Sequence, residues 1–356
     1  MRETQIPSVV PSGLRVLLDA RWLSRGGAGR ATELLLRGLQ KLEPAGQWSV
    51  WGPAELEDYL WPTAQFFPDE TSPRSFFGQR AFRLPPHDTA IFMHQIRPLR
   101  AKKAIAVIHD TIPVRWGANS LERRIKRAYL GWSARRAARI ITGSRYSADS
   151  IATDLDIDRA KIHVITYPTD TPLAVAVREQ GSSYASSKTA LYVGRFARHK
   201  NVELLVRAFP GTSFARSGGQ LVAVGGSPRE TAALQELVRE LELTCVDIRP
   251  VCSDEQLVHL FAGSRFLVMP SLEEGFGLPV WEALCAGVPV CASSAGALPE
   301  VAGSVPCFPM TDIAGVQRAV DAVADEPARF TRPAQDERGV EEFARDFLEL
   351  AFGSAP

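Results

Sequence analysis

The feature of this chain that most limits its possible folds is an alternation of short apolar runs with amphipathic helical patterns, which occurs twice. In the first half, the runs Leu14–Leu18, Ala90–Met93 and Ala104–Ile108 have the length of strands, and patterns of helical spacing lie among them. The same order restarts at Ala190–Val193. Strands and helices that alternate in this way form parallel sheets with crossover helices. The sequence therefore predicts an α/β protein of two Rossmann-like domains, with a ligand in a central cleft between them at the carboxyl ends of the strands.

Turn-forming residues divide the chain into five segments. Proline, threonine, aspartate and glycine are concentrated between 167 and 188, a composition that is typical of a linker. The predicted segments are a flexible tail at 1–13, an N-terminal domain at 14–170, a linker at 171–188, a C-terminal domain at 189–335 and a C-terminal segment at 336–356. The last segment carries a helix that can cross back to the N-terminal domain.

Composition and charge argue against several classes of protein. The chain has 356 residues and a formal net charge of +1 at pH 7, so no excess of basic residues points to a nucleic-acid partner. It has no run of about 18 apolar residues, the length that a membrane-spanning helix needs. The five cysteines include no Cys-x-x-Cys pair, which favours free thiols in a cytoplasmic protein. The histidines show no metal-ligand spacing, so we expect no metal site.

Two carboxylates flank a glycine-containing turn in the second half, between Glu274 and Glu282. The apolar run Phe266–Met269 precedes the turn, and Pro279 suits the first turn of a helix that Gly287 ends. A helix N-terminus that follows such a loop offers unpaired N–H donors and a partial positive charge to an anion. The spacing therefore predicts a site for a diphosphate with hydroxyl-binding carboxylates on either side, which is what a nucleotide-sugar donor requires.

A basic loop follows the first strand of the second half. It begins at Gly194 and carries Arg195 and Lys200, five positions apart, before the next helix. A planar guanidinium and a compact ammonium can together neutralise a diphosphate leaving group. Taken alone, the loop is also typical of a solvated basic surface. Its place in the same half as the Glu274 turn favours phosphate binding.

Two stretches of the first half also follow strands. Segment 19–30 contains several glycines, among them Gly27, which could let the backbone approach a donor phosphate or an acceptor. The alternative is a flexible surface turn, and the glycine spacing is not that of a dinucleotide-binding loop. His109 and Asp110 end a strand, where cleft residues lie, although Asp110 could instead cap nearby backbone N–H groups.

A strongly basic helix is predicted at 121–139. Ile125, Tyr129 and Trp132 lie among its arginines and lysine. A solvated helix face is one interpretation. The other is peripheral contact with anionic lipid head groups, or with a lipid-diphosphate acceptor, at the inner face of a membrane.

The sequence resembles the retaining glycosyltransferases of family 4, which have the GT-B architecture. In the second half, EEGFGLPVWEALCAGVPVCASSAGALPEVAG is similar to the Glu-x7-Glu signature of that family and its downstream proline–glutamate loop. LYVGRFARHKN is similar to the family's Arg-x4-Lys diphosphate clamp. In the first half, DARWLSRGGAGRAT, FMHQIRP, VIHDTIPVRW and ITGSRYSADSI resemble mannosyltransferases of bacterial polysaccharide assembly. The resemblance covers nearly the whole chain beyond residue 13.

The resemblance implies roles for the residues that match these motifs. The implied catalytic residues are His109, Asp110, Arg195, Lys200 and Glu274. Glu274 would contact the donor sugar, and the two basic residues would stabilise the departing diphosphate. The implied donor-binding residues are Gly27, Gly194, Gly275, Phe276, Gly277, Leu278 and Glu282, of which Glu282 would bind the ribose hydroxyls. The position before Lys200, often acidic in the family, is His199.

The resulting hypothesis is a cytoplasmic, metal-independent retaining glycosyltransferase. It would move a hexose, mannose from GDP-mannose, to a glycan or a lipid-linked acceptor, with the sugar nucleotide as substrate and no cofactor. Front-face attack by the acceptor hydroxyl and double displacement through Glu274 both remain compatible with retention. The alternatives on the same fold are a sugar-nucleotide epimerase, a glycogen-type phosphorylase and a non-catalytic nucleotide-sugar binding protein. Acceptor contacts are expected from region 53–87.

Overall fold

The chain divides into two units. One unit combines Met1–Pro168 with Arg338–Pro356, and the other is Thr169–Glu337. The computed structural model describes residues 10–23, 26–68, 84–94, 104–181, 184–332 and 338–353. Residues 1–9 of the predicted tail and 69–83 of the predicted acceptor region lie outside these ranges. Val10, which also belongs to the predicted tail, is buried.

Strands and helices alternate through the described residues, as the apolar pattern predicts. The strands are β1 (Arg15–Asp19), β2 (Gln47–Gly52), β3 (Ala64–Pro68), β4 (Thr89–Phe92), β5 (Ala104–Val107), β6 (Ala137–Thr142), β7 (Ile162–Val164), β8 (Thr189–Val193), β9 (Gln220–Val224), β10 (Val246–Arg249), β11 (Phe266–Met269), β12 (Val290–Ser293) and β13 (Cys307–Phe308). The α-helices are α1 (Gly26–Leu42), α2 (Ile112–Arg115), α3 (Ser120–Arg136), α4 (Arg145–Leu155), α5 (Pro172–Gln180), α6 (Val202–Ala208), α7 (Ser213–Arg216), α8 (Pro228–Glu240), α9 (Asp254–Ala262), α10 (Leu278–Cys285), α11 (Leu298–Ala302), α12 (Ile313–Asp325) and α13 (Val340–Phe352).

Within its described residues, the first unit is built on a seven-stranded sheet in the order β3-β2-β1-β4-β5-β6-β7, and all of these strand pairs are parallel. The strand order reverses direction between β1 and β4. Helix α13 returns from the end of the chain and packs on α1. A Cβ atom at Gly38 of α1 would lie 2.2 Å from the carbonyl oxygen of Val340, so this close approach of two helices requires glycine.

The second unit has a six-stranded sheet in the order β10-β9-β8-β11-β12-β13, again with parallel pairs. Its strand order reverses between β8 and β11. In open α/β sheets, the loops at such a reversal leave a crevice at the carboxyl ends of the strands. Here those loops are 194–201, after β8, and 270–277, after β11. They contain the two second-half motifs that the sequence singles out.

The linker prediction for 171–188 is wrong, because this segment contains α5. The side chain of Thr171 accepts a hydrogen bond from the N–H of Ala174, and Pro172 occupies the first turn. Leu173 and Val177 are buried. Threonine and proline begin helices as readily as they form turns, and in this case the buried apolar side chains stabilise the helix.

Two further bounds differ from the sequence prediction. The basic helix α3 ends at Arg136, and Arg139 belongs to β6, where its guanidinium donates to the carbonyl oxygens of Leu350 and Gly353. Helix α1 begins at Gly26, so Gly27 is exposed in the first helical turn rather than in a loop. Glycine has a low intrinsic helix propensity, which is why this first turn is not predictable from composition.

Candidate active site

A carboxylate and an ammonium meet at the strand reversal of the second unit. Lys200 Nζ lies 2.6 Å from Oε1 and 2.7 Å from Oε2 of Glu274. The hydroxyl of Ser271 donates to Oε1 over 2.8 Å. Glu274 is buried and Lys200 is largely buried. The loops after β8 and β11 thus place two of the predicted catalytic residues in direct contact.

The backbone of Glu274 is held by a turn that precedes α11. The N–H of Ala297 donates to the carbonyl oxygen of Glu274 over 3.0 Å. Gly296, with a φ of +62°, lies so close that a Cβ atom there would be 2.6 Å from both the N and the O of Glu274. The turn therefore requires glycine on both steric and conformational grounds. It belongs to the proline–glutamate loop of the sequence.

The loop that carries Lys200 is bonded to its neighbours through backbone and amide groups. The N–H of Leu272 donates to the carbonyl oxygen of His199 over 2.7 Å. Asn201, in the left-handed conformation, donates from its side-chain amide to Pro270 and Met310. These bonds tie the two loops together and limit the positions that the Lys200 side chain can reach.

Two neighbouring side chains are held in their neutral forms. Burial, assisted by the nearby ammonium of Lys200, lowers the pKa of His199 to about 4. Burial, together with the carboxylates of Glu274 and Glu230, raises the pKa of Tyr192 well above its usual value. The Tyr192 hydroxyl donates to the carbonyl oxygen of Arg195 over 2.7 Å and so orders the start of the loop. Near pH 7, the charges in this loop therefore come from its lysine and arginine side chains.

Arg195 is placed differently from Lys200. Its side chain is 74% exposed, and its guanidinium lies 3.5 Å from a carboxylate oxygen of Glu230. Glu230 is the third residue of α8 and forms a capping box with Ser227. The structure thus pairs the two predicted clamp residues with separate carboxylates. Joint binding of a diphosphate by both residues stays a prediction.

Helix α10 begins where the sequence places a helix N-terminus. Gly277 is its N-cap with a φ of +94°, and a Cβ atom there would lie 2.6 Å from Leu298 Cδ2. Val280 and Leu284 are buried. Glu282 is also buried, in the second turn. The residues before the cap, Gly275 and Phe276, connect this N-terminus directly to Glu274.

Close packing also fixes Gly194, at the end of β8. A Cβ atom on Gly225, which follows β9 with a φ of +130°, would lie 2.1 Å from the carbonyl oxygen of Gly194. The sequence alone does not identify Gly225, Gly296 and Ser271 as site residues, although each lies within a loop that follows or precedes a predicted element. Their proximity to the site is recognisable only once the order of the strands in the sheet is known.

In the first unit, His109 lies after β5 among buried groups. Its Nε2 is 3.0 Å from the carbonyl oxygen of Met93, which can only accept, so Nε2 carries the proton. The Tyr167 hydroxyl lies 3.4 Å from Nδ1. Burial lowers the pKa of His109 and raises that of Tyr167, so both are neutral near pH 7. Asp110 Oδ1 accepts from the N–H of Ile112, which is the capping contact of the alternative interpretation.

The strand reversal of the first unit holds two contacts that sequence reasoning does not find. Arg21 donates to both carboxylate oxygens of Asp19, over 2.8 and 2.7 Å, and lies over the ring of Trp51 at 3.8 Å. Both charged residues are buried. Trp22 stacks on His94, with ring centroids 3.7 Å apart. In the described part of the chain, no group of three or more His, Cys, Asp or Glu side chains could hold a metal ion.

The stack at His94 gives a pH prediction. Burial lowers the pKa of His94 to about 3, with smaller effects from His109 and Arg21, against an ordinary value of 6.5. Between these values the unfolded chain binds more protons than the folded chain. The free energy of unfolding is therefore fully retained above the ordinary pKa and falls as the pH drops through this window.

When the pH is lowered from about 7 to about 5, we expect the free energy of unfolding of His94→Phe to fall by about 1–2 kcal/mol less than that of the parent. The variant keeps an aromatic ring against Trp22. Urea unfolding of both proteins at the two pH values measures this difference. Equal losses in the parent and the variant would contradict it.

Family models match part of the first unit and most of the second. A model described as "Glycosyl transferases group 1" matches residues 176–327, and one described as "Glycosyltransferase Family 4" matches residues 86–172. Together these ranges span about two thirds of the chain. They include both second-half motifs and His109.

Curated relatives match parts of the chain. The MMP alpha-(1->4)-mannosyltransferase of Mycolicibacterium hassiacum is 33% identical over 175 residues, which are 48% of this chain and 40% of that protein. The O-antigen chain mannosyltransferase RfbU of Salmonella typhimurium is 28% identical over 209 residues, 58% of this chain and 56% of that protein. Others are named glycogen synthase and D-inositol 3-phosphate glycosyltransferase. The chain spans about half the length of these relatives.

Solved structures resemble the whole fold. A sucrose-phosphate synthase from Thermosynechococcus elongatus has a TM-score of 0.67 at 17% identity. The Anabaena protein HepE, in complex with UDP-glucose, has a TM-score of 0.65 at 16% identity. Each match covers 95% of this chain and 95% of the other. These likenesses confirm the predicted GT-B fold.

Proposed function

We infer that this chain belongs to the family 4 glycosyltransferases, and on that premise we propose that it transfers a hexose from a sugar nucleotide to a hydroxyl group of a glycan or a lipid-linked acceptor. The observation that carries the proposal is the contact of Lys200 with Glu274 at the strand reversal of the second unit. That contact places a cation and a hydrogen-bond-accepting carboxylate beside the N-terminus of α10, which suits a sugar diphosphate.

For the donor, we propose GDP-mannose. The names of two relatives, which are mannosyltransferases, support this choice, as does the likeness of the first-half motifs to such enzymes. The HepE structure holds UDP-glucose, so the competing donor carries a different base and sugar. In this proposal Glu274 binds the sugar hydroxyls, Glu282 the ribose, and the backbone from Gly275 to Leu278 the phosphate.

The proposed mechanism follows from the charge that develops in the reaction. Breaking the anomeric C–O bond gives an oxocarbenium-like sugar and an anionic diphosphate. The acceptor hydroxyl oxygen then bonds to the anomeric carbon, and its proton passes to the departing phosphate. Lys200, Arg195 and the α10 N-terminus would stabilise the diphosphate, at about 3–4 kcal/mol for each well-placed donor. Glu274 already accepts bonds from Lys200 and Ser271, which supports a binding role over nucleophilic attack and so favours front-face transfer. His109 would contact the sugar, and Gly27 would lie near the phosphate.

A donor panel tests this function. Purified protein is incubated with GDP-mannose, UDP-glucose and ADP-glucose, each with glycan and lipid-linked acceptors, and the product anomer is assigned by NMR. We expect an α-linked product from GDP-mannose alone. Consumption of none of the donors would contradict the proposal, and free sugar released without an acceptor would indicate epimerase chemistry. Calorimetry with GDP, UDP and ADP identifies the base independently of turnover.

The arginine of the proposed clamp gives a sharp variant. Arg195→Ala is expected to lower kcat by more than about tenfold, because it removes a donor to the leaving diphosphate. Its exposed position predicts a change in unfolding free energy of no more than about 0.5 kcal/mol. Arg239→Ala is the matched control, since Arg239 is similarly exposed and also pairs with a glutamate of α8. An unchanged rate in Arg195→Ala would exclude this residue from the clamp.

A further inference from the structure

The basic helix α3 carries an apolar stripe on its outer face. Leu121, Ile125, Tyr129 and Trp132 follow one another at intervals of four, four and three residues, which puts them on one side of a helix. Leu121 is 65% exposed and Ile125 is 54% exposed. Tyr129 and Trp132 stack on each other at 5.9 Å and are partly exposed. Large apolar side chains at helical spacing normally face a core, so this stripe is unusual.

The core contact of α3 lies on the opposite side of the helix. Leu130 and Ala134 are buried in a cluster with Ile140 and Ile151. At 100° per residue, the direction of Leu130 is about 180° from that of Leu121, and that of Ala134 is about 180° from that of Ile125. The outer stripe is therefore not the edge of the core face. It is a second apolar surface that α3 presents to its surroundings.

The charge around the stripe is strongly positive. Helix α3 contains six basic residues and one acidic residue, Glu122, although the chain as a whole has a net charge of only +1. Arg124 and Arg135 also line a surface cavity of about 410 Å³, whose other lining residues are Arg127, Ala128, Asp154, Leu155 and Asp156. The positive charge is thus local to this helix. It is complementary to an anionic surface rather than to a neutral one.

Helix α3 is suited to lie on a membrane rather than to cross one. Within the described ranges, no helix is both long enough and apolar enough to span a bilayer. A helix with Leu and Trp on one face and several arginines beside them has the composition of a segment that lies in the plane of the bilayer interface. Its apolar residues then enter the acyl boundary, while the arginines contact lipid phosphates.

We propose that α3 docks this protein onto an anionic lipid surface, with Leu121 and Ile125 inserted below the head groups. The docking combines an apolar and an electrostatic contribution, and stable reversible attachment to membranes requires two such contributions. The proposal does not depend on which sugar is transferred. It places the N-terminal unit against a membrane whatever the acceptor is.

Sedimentation with vesicles tests the docking surface. The full chain is mixed with large unilamellar vesicles of phosphatidylcholine alone, or of phosphatidylcholine with about 30 mol% phosphatidylglycerol. We expect binding to the anionic vesicles, a loss of binding as salt is raised, and little binding to phosphatidylcholine alone. The double variant L121E/I125E is expected to bind the anionic vesicles more than about tenfold more weakly.

A matched control separates the stripe from general surface properties. The variant V251E/I313E also removes two exposed apolar side chains and adds two negative charges, since Val251 is 73% and Ile313 is 46% exposed in the second unit. Its vesicle binding should stay within about twofold of the parent.

Equal losses in both double variants would overturn the proposal. Failure of the parent to bind anionic vesicles would also overturn the proposal. That result would indicate that the stripe binds another protein instead. Retained sugar transfer to a soluble acceptor by L121E/I125E would show that the loss is not unfolding.

Discussion

Replacing Lys200 with methionine is expected to lower the kcat of sugar transfer by about 100- to 1,000-fold, the usual effect of removing one oriented donor from a developing anion. Methionine keeps the length of the side chain and removes its charge. The donor diphosphate would lose a cation, and the Glu274 carboxylate would lose the partner that lies 2.6 Å away. Initial rates with saturating donor measure the change.

The same substitution has a second, smaller consequence. Glu274 would stay buried, and among the described residues the hydroxyl of Ser271 would be its remaining side-chain donor, so the free energy of unfolding should fall by about 1–3 kcal/mol. Lys188→Met is the control, because Lys188 precedes β8 and is exposed at the opposite end of that strand. It should change neither quantity. If Lys200→Met has a normal kcat and a normal melting temperature, the ion pair has no role in the proposed site.

Replacing Arg21 with methionine is expected to reduce the free energy of unfolding by about 3–5 kcal/mol, because it leaves the carboxylate of Asp19 buried without the cation that compensates its charge. The guanidinium donates to both oxygens of Asp19, and it also covers the ring of Trp51. Urea denaturation of the full chain, followed by circular dichroism, measures the loss.

An exposed ion pair at the start of β1 provides the comparison. Arg15 also donates to both carboxylate oxygens of its partner, Asp88, but both side chains are exposed. Arg15→Met should therefore reduce the free energy of unfolding far less than Arg21→Met does. In the double variant D19N/R21M, part of the stability should return, since no buried charge is left unpaired. Equal effects of Arg15→Met and Arg21→Met would show that burial of the ion pair has no energetic consequence.

Elements with a clear local pattern are predictable from this sequence. Helix α13, at Val340–Phe352, is the helix that the sequence predicts within the segment 336–356. Helix α9 starts after the Ser-x-x-Gln pattern of a capping box, and both hydrogen bonds of that box, between Ser253 and Gln256, are present. In these segments the burial of one helix face and the local capping chemistry favour the same structure.

Elements whose stability comes from distant residues are harder to predict. Strand β3 is an edge strand that pairs only with β2 among the described residues, and its side chains are half-exposed without a regular alternation. Nothing in Ala64–Pro68 alone distinguishes it from a loop. The contact of Arg21 with Asp19 is similarly hidden, because charged residues at the end of a strand are usually exposed to solvent.

The candidate site shows the same division. Glu274 and Lys200 are identifiable because each lies in a loop between a predicted strand and a predicted helix. Their contact is not, because it depends on β8 and β11 being neighbours in the sheet although β9 and β10 lie between them in the chain. Gly296 is required only because that arrangement brings its turn against Glu274.

The packing of α13 on α1 has a consequence for how this protein is made. The first unit is discontinuous, since its sheet ends before residue 169 while α13 follows the whole second unit. During translation, the face of α1 around Gly38 therefore remains uncovered until the ribosome has released the segment Val340–Phe352. The second unit is complete by then, so it can reach its native state before the first unit does. Nascent chains arrested before α13 emerges should expose that face of α1 to chaperones.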